Sequence, residues 1–98
     1  MPIRKEWLEF TPQNVAAVTD KDGVYELGDA DKNVIFIRGT ANLRPTLQEN
    51  LADTEPCLKK AKFFRFEEVF MYTMRESELI QQHMRLNKKL PECNEEII

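Results

Sequence analysis

A chain of 98 residues is long enough for one hydrophobic core and too short for two, so a single domain over residues 1–98 is expected. Its 42% hydrophobic and 32% charged residues are ordinary for a globular protein, and no apolar run approaches the roughly 18 residues a membrane span needs. A formal charge of −3 excludes the overall basic character typical of many nucleic-acid binders, while leaving room for local basic patches.

The N-terminal residues carry charge with no apolar stretch after them, so no secretory signal is read and a cytoplasmic location is expected. Thr11 then caps a short helix with Pro12 at its first position, running through Val15-Ala16-Ala17-Val18 and ending near Asp20. Lys21-Asp22-Gly23 is a turn. Val24–Leu27 and Val34–Ile37 are strands, and the short polar loop between them makes an antiparallel hairpin over about residues 23–38. Asn42 caps a helix over about 42–53, whose Leu43, Leu47 and Leu51 recur at i, i+4 and i+8; Pro45 is tolerated in its first turn. A third strand, rich in aromatics, runs from about 61 to 69 and pairs with the hairpin. Residues 75–88 form the last helix, which stops before Pro91. The fold class is therefore α/β: a small two-layer domain with a three-stranded, mainly antiparallel sheet and flanking helices.

Several residue groups have both a plain and a functional reading. Cys57 and Cys93 are far apart in sequence and lack metal-type spacing, so they read as reduced thiols; with His83 the chain's single histidine, a zinc site would need both sulfurs and a carboxylate to converge. Phe63, Phe64, Phe66 and Phe70 read as core in preference to a base-stacking platform. Lys59, Lys60, Lys62 and Arg65 form one basic cluster and Arg85, Lys88 and Lys89 another. They read either as solvated surface or, where they share a side with Arg38, as a phosphate-binding face.

Gly23-Val24-Tyr25, Phe36-Ile37, Asn42-Leu43-Arg44 and Pro91-Glu92-Cys93-Asn94 together resemble the GIY-YIG nuclease superfamily, with matching element order over roughly residues 20–95. Members include homing endonucleases and the N-terminal domain of an excision-repair endonuclease. The resemblance implies a site of two tyrosines around the attacking water, an arginine on the scissile phosphate, a glutamate holding a divalent ion, and an asparagine. Tyr25 falls on the first tyrosine and Phe36 on the second, without its hydroxyl. The arginine belongs ten positions after the second tyrosine, at Thr46, and the glutamate twelve before Asn94, at Gln82. Arg44 is rotated by about 200° from the Thr46 position on a helix, and Arg38 stands where the family has glycine, able either to bind an anion or to block the cleft.

Three of the five positions thus lack the hydroxyl, cation or anion that does the chemistry, and losing even one such group costs on the order of 10² to 10⁴ in rate. The implied function is a catalytically silent GIY-YIG-like binding or interaction module that needs no cofactor, its first partner DNA or RNA held weakly through Arg38, Lys59, Lys60, Lys62 and Arg65, its second a protein. The alternative is an active endonuclease in which Glu78, one helical turn before Gln82, holds Mg²⁺ or Mn²⁺.

Overall fold

The structure, a computed structural model, describes Ile3 and residues 5–97. In chain order it has β1 (Leu8–Glu9), α1 (Pro12–Ala16), β2 (Gly23–Gly28), β3 (Val34–Thr40), α2 (Leu43–Leu51), a 3-10 turn (Leu58–Lys60), β4 (Phe63–Glu68), α3 (Tyr72–Asn87) and α4 (Glu92–Ile97). The strands form one antiparallel sheet in the order β1-β4-β2-β3. The hairpin and the third long strand lie where the sequence puts them. The three-stranded expectation is corrected by β1, whose two residues pair with Phe63 and Phe64 and are too few to carry a periodic signal.

Helices cover both faces of the sheet, which replaces the expected two layers with three. Successive strand residues point to opposite faces. Tyr25, Leu27, Phe36 and Phe64 therefore pack with Val15, Leu43 and Leu47 under α1 and α2, while Val24 and Ile37 pack with Ile3 and Leu79 under α3. Pairing on both sides and cover on both faces leave all six residues of β2 buried. That includes Glu26, whose carboxylate accepts from Arg65 Nε at 2.6 Å; the Arg65 guanidinium also lies over the Trp7 ring at 4.1 Å. Gly23 is required by close approach: a Cβ there would meet the Glu67 carbonyl oxygen at 2.4 Å and the Leu43 side chain at 2.6 Å.

Thr11 caps α1 as expected, its hydroxyl accepting from Asn14 N at 3.2 Å, but the helix ends at Ala16 and short backbone turns carry the chain through Val18. Asn42 stands at the N-cap of α2 without a side-chain capping bond; the Thr40 hydroxyl accepts from Asn42 N instead. In α3 the first turn begins at Tyr72, earlier than expected, and Lys88 closes the helix in the left-handed region, its N–H bonding Met84 O at 2.8 Å. Pro91 marks the end of one helix and also precedes the start of α4, which the sequence reading missed.

Cys57 and Cys93 are joined as a disulfide, with Cα atoms 5.6 Å apart, which corrects the reading of two reduced thiols. The fold brings a loop and a helix separated by 36 positions into contact, a proximity that spacing cannot reveal. Among the described residues no helix is long and apolar enough to cross a membrane.

Candidate functional site

The β2–β3 register sets Tyr25 opposite Arg38 and Leu27 opposite Phe36, so Tyr25, Phe36 and Arg38 share the face covered by α2. The Tyr25 and Phe36 rings are 6.2 Å apart and inclined by 56°. Tyr25 is fully buried, and its hydroxyl donates to Asn50 Oδ1. Burial raises the phenol pKa far above the ordinary tyrosine value. The positive charge of Arg38 opposes that rise, and Glu49 and Glu76 add to it. The hydroxyl is therefore a protonated donor at neutral pH. Arg38 itself is exposed.

Thr46 lies one helical turn before Asn50 on α2, where it is buried and shares a 2.8 Å hydrogen bond with the Thr40 hydroxyl. At the end of β3, Gly39 N donates to Glu76 Oε2 at 2.6 Å. A Cβ on Gly39 would stand 2.9 Å from the Tyr72 carbonyl oxygen, so only glycine lets the start of α3 press this close and bring Glu76 to the strand. Asn94 reaches the neighbouring residue Ile37, accepting from its N–H at 2.8 Å and donating to its C=O at 2.9 Å. Tyr25, Phe36 and Thr46 are thus gathered on the α2 side and Asn94 closes the outer edge of β3. Gln82 is half-buried on α3, the helix that packs through Leu79 on the opposite face. Arg44 turns away, to Val18 O at 3.3 Å and to Asp20 at 3.7 Å.

The first basic cluster is divided by the fold. Arg65 lies on the face opposite Phe64 and is held by Glu26 and Trp7, and Lys60 pairs with Glu92 at 2.7 Å. Lys59 and Lys62 are exposed. Lys59 lines a cleft of about 300 Å³ whose wall includes Phe10, Asp53 and Asn50, the residue that accepts from Tyr25. Of the aromatics read as core, Phe64 is fully buried and Phe63 and Phe66 are partly so, but Phe70 is 85% exposed because the chain has left the sheet by that point.

A family model described as Domain of unknown function (DUF7508) matches residues 1–86. The chain belongs to the DUF7508 family. Among solved structures, this DUF7508 chain is similar to the GIY-YIG N-terminal endonuclease domain of UvrC from Thermotoga maritima, in two tyrosine-to-phenylalanine point mutants, each bound to its catalytic divalent cation. The TM-scores are 0.62 and 0.59 at 18% and 15% identity, covering 71% and 82% of this chain and 85% and 89% of those. A GIY-YIG-like fold is thereby shown. No curated protein matches the chain.

Two residues of this DUF7508 site escaped the sequence reading. Asn50 carried one weak signal, a polar residue between Leu47 and Leu51 on the apolar stripe of α2, where it is now buried. Glu76 carried none, since its role depends on how closely Gly39 admits α3. The side chains at the position where the GIY-YIG resemblance expects a metal-binding glutamate do not fit a divalent ion well. Gln82 offers a neutral amide, and the Glu78 carboxylate accepts from Arg75, which also grips Glu67 at 2.8 Å. Among the described residues no three His, Cys, Asp or Glu side chains group as metal ligands.

Proposed function

We propose that this DUF7508 chain is a nucleic-acid-binding module on a GIY-YIG-like fold that contacts phosphates without cleaving them. One observation carries the reading: at the Tyr25–Arg38 pair the hydroxyl is buried and spent on Asn50, while the guanidinium beside it is exposed. A base for an attacking water must be reachable and must give up its proton near neutral pH. Tyr25 meets neither condition, its pKa raised by burial. Arg38 keeps what a phosphate needs, a charged fork of N–H donors. Glu49 and Glu76, which act on the same phenol, set two negative charges against the one positive charge of Arg38, which makes the binding weak and salt-sensitive.

The reading includes no divalent ion, because a neutral Gln82 and an arginine-paired Glu78 offer little to one. It takes the site to act in the cytoplasm, in a cell whose interior preserves a disulfide such as Cys57–Cys93. The assay is fluorescence anisotropy with labelled duplex and single-stranded oligonucleotides, starting near 20 mM salt, where phosphate contacts are strongest. Contacts from Arg38, Lys59 and Lys62 predict a slope of log K against log salt of about −3 on duplex DNA, falling in magnitude by about 1 in Arg38→Ala. No binding at that salt overturns the proposal. Cleavage in Mg²⁺ or Mn²⁺ that Glu78→Ala abolishes would establish the nuclease instead.

A further inference from the structure

β3 is an outer strand of the sheet, and an outer strand offers unpaired N–H and C=O groups to any extended chain that meets it. Here Asn94 occupies the middle of that edge. Its amide makes both bonds that a neighbouring strand would make to Ile37, and Glu76 takes the N–H of Gly39 two residues on. Asn94 sits on α4, a helix of six residues, which is too short to stand by itself in water. Among the described side chains, α4 is tied to the body of the protein by Asn94, by the burial of Pro91 and Cys93, by the Cys57–Cys93 disulfide one residue away and by an exposed Lys60–Glu92 ion pair between the same two segments. Exposed ion pairs contribute little. The disulfide is the one covalent tether among these ties.

We infer that α4 is a disulfide-latched plug: the Cys57–Cys93 bond holds Asn94 on Ile37, and reduction of that bond by a dithiol opens the outer edge of β3. The chemistry is thiol–disulfide exchange. A thiolate of the dithiol attacks one cysteine sulfur, the Cys57–Cys93 bond breaks, and a mixed disulfide forms. The second thiol of the reductant then closes on the first, leaving as a cyclic disulfide, and both cysteines gain a proton. Two electrons and two protons pass from the dithiol to the protein. Both cysteines are buried, so attack follows a local lifting of α4 and the latch answers sustained reducing conditions. Ile37 lies between Phe36 and Arg38, so the plug also steadies the strand that carries the exposed guanidinium.

The test is amide hydrogen exchange on the full chain, oxidised and after reduction with dithiothreitol, and needs no nucleic acid. Reduction destabilises the whole fold and so speeds every core amide; the informative quantity is the rate at Ile37 relative to the amides of the central strand β2. That ratio is expected to rise by about tenfold or more on reduction, and Ile37 exchange to become insensitive to low urea, the mark of a local opening. The Asn94→Ala variant, kept oxidised, should raise the same ratio with the disulfide intact. Equal acceleration of Ile37 and β2 on reduction would overturn the latch, as would an Asn94→Ala protein in which Ile37 stays as protected, relative to β2, as in wild type.

Discussion

Replacing Tyr25 by phenylalanine tests the central feature of the site, because the hydroxyl and its acceptor are both buried. The ring stays, so packing against Phe36 is kept and only the hydrogen bond is lost. Asn50 Oδ1 is then left in the core without its donor, at a cost of about 1–3 kcal/mol. In a domain of this size each kcal/mol lowers the melting temperature by about 4–8 °C, so a loss of about 2 kcal/mol predicts a fall of about 8–16 °C. Asn50→Leu alone should cost a similar amount, since Arg38 has only donors and cannot take the orphaned phenol proton. The double variant Tyr25→Phe/Asn50→Leu removes both partners and should be milder than the sum of the two by about 1 kcal/mol or more. A pH arm follows from the same burial. The folded phenol keeps its proton where the unfolded one, with an ordinary pKa of 10.0, releases it. Stability from this group is therefore intact below pH 10 and falls above it, by about 1.4 kcal/mol per pH unit, and Tyr25→Phe should lack that component. Urea unfolding followed by circular dichroism between pH 7 and 11 reads both effects. Strict additivity of the two single variants, or identical alkaline profiles for wild type and Tyr25→Phe, would refute the reasoning.

Arg65→Met should leave Glu26 charged and buried without its partner, at about 3–5 kcal/mol in urea unfolding, while Glu26→Leu/Arg65→Met should recover most of that loss. In Gly23→Ala the new methyl collides with the Glu67 carbonyl between two central strands, and a loss of about 1–3 kcal/mol is expected; wild-type stability would refute the close approach. The disulfide closes a loop of 36 positions, so Cys57→Ser/Cys93→Ser should lose about 4 kcal/mol of equilibrium stability through the unfolded state, measured by denaturant unfolding with the slope fitted freely, since the unlinked denatured chain exposes more surface.

The strands, α2 and α3 were legible because their side chains repeat with the period of the element that buries them: Leu43 and Leu47 under α2, and the alternation of Val24 with Tyr25 across β2. Counting along the resemblance put Phe36, Thr46 and Gln82 at the positions where it implies a hydroxyl, a cation and a carboxylate; packing gathers Phe36 and Thr46 on the α2 side and leaves Gln82 on α3. What counting could not supply was everything that depends on approach between distant segments. Asn50 became the acceptor of Tyr25 when α2 packed on β2, Glu76 met Gly39 because no side chain stood between them, and Arg65 left its lysine neighbours to pair with Glu26 through strand alternation. Cys57 and Cys93 met for the same reason. Local chemistry and periodicity act over a few residues, so the sequence by itself determined the elements, their order and the chemical groups available. Which of those groups were buried, paired or left facing solvent was decided by packing across 25 to 57 positions of chain, and only the tertiary structure holds that information.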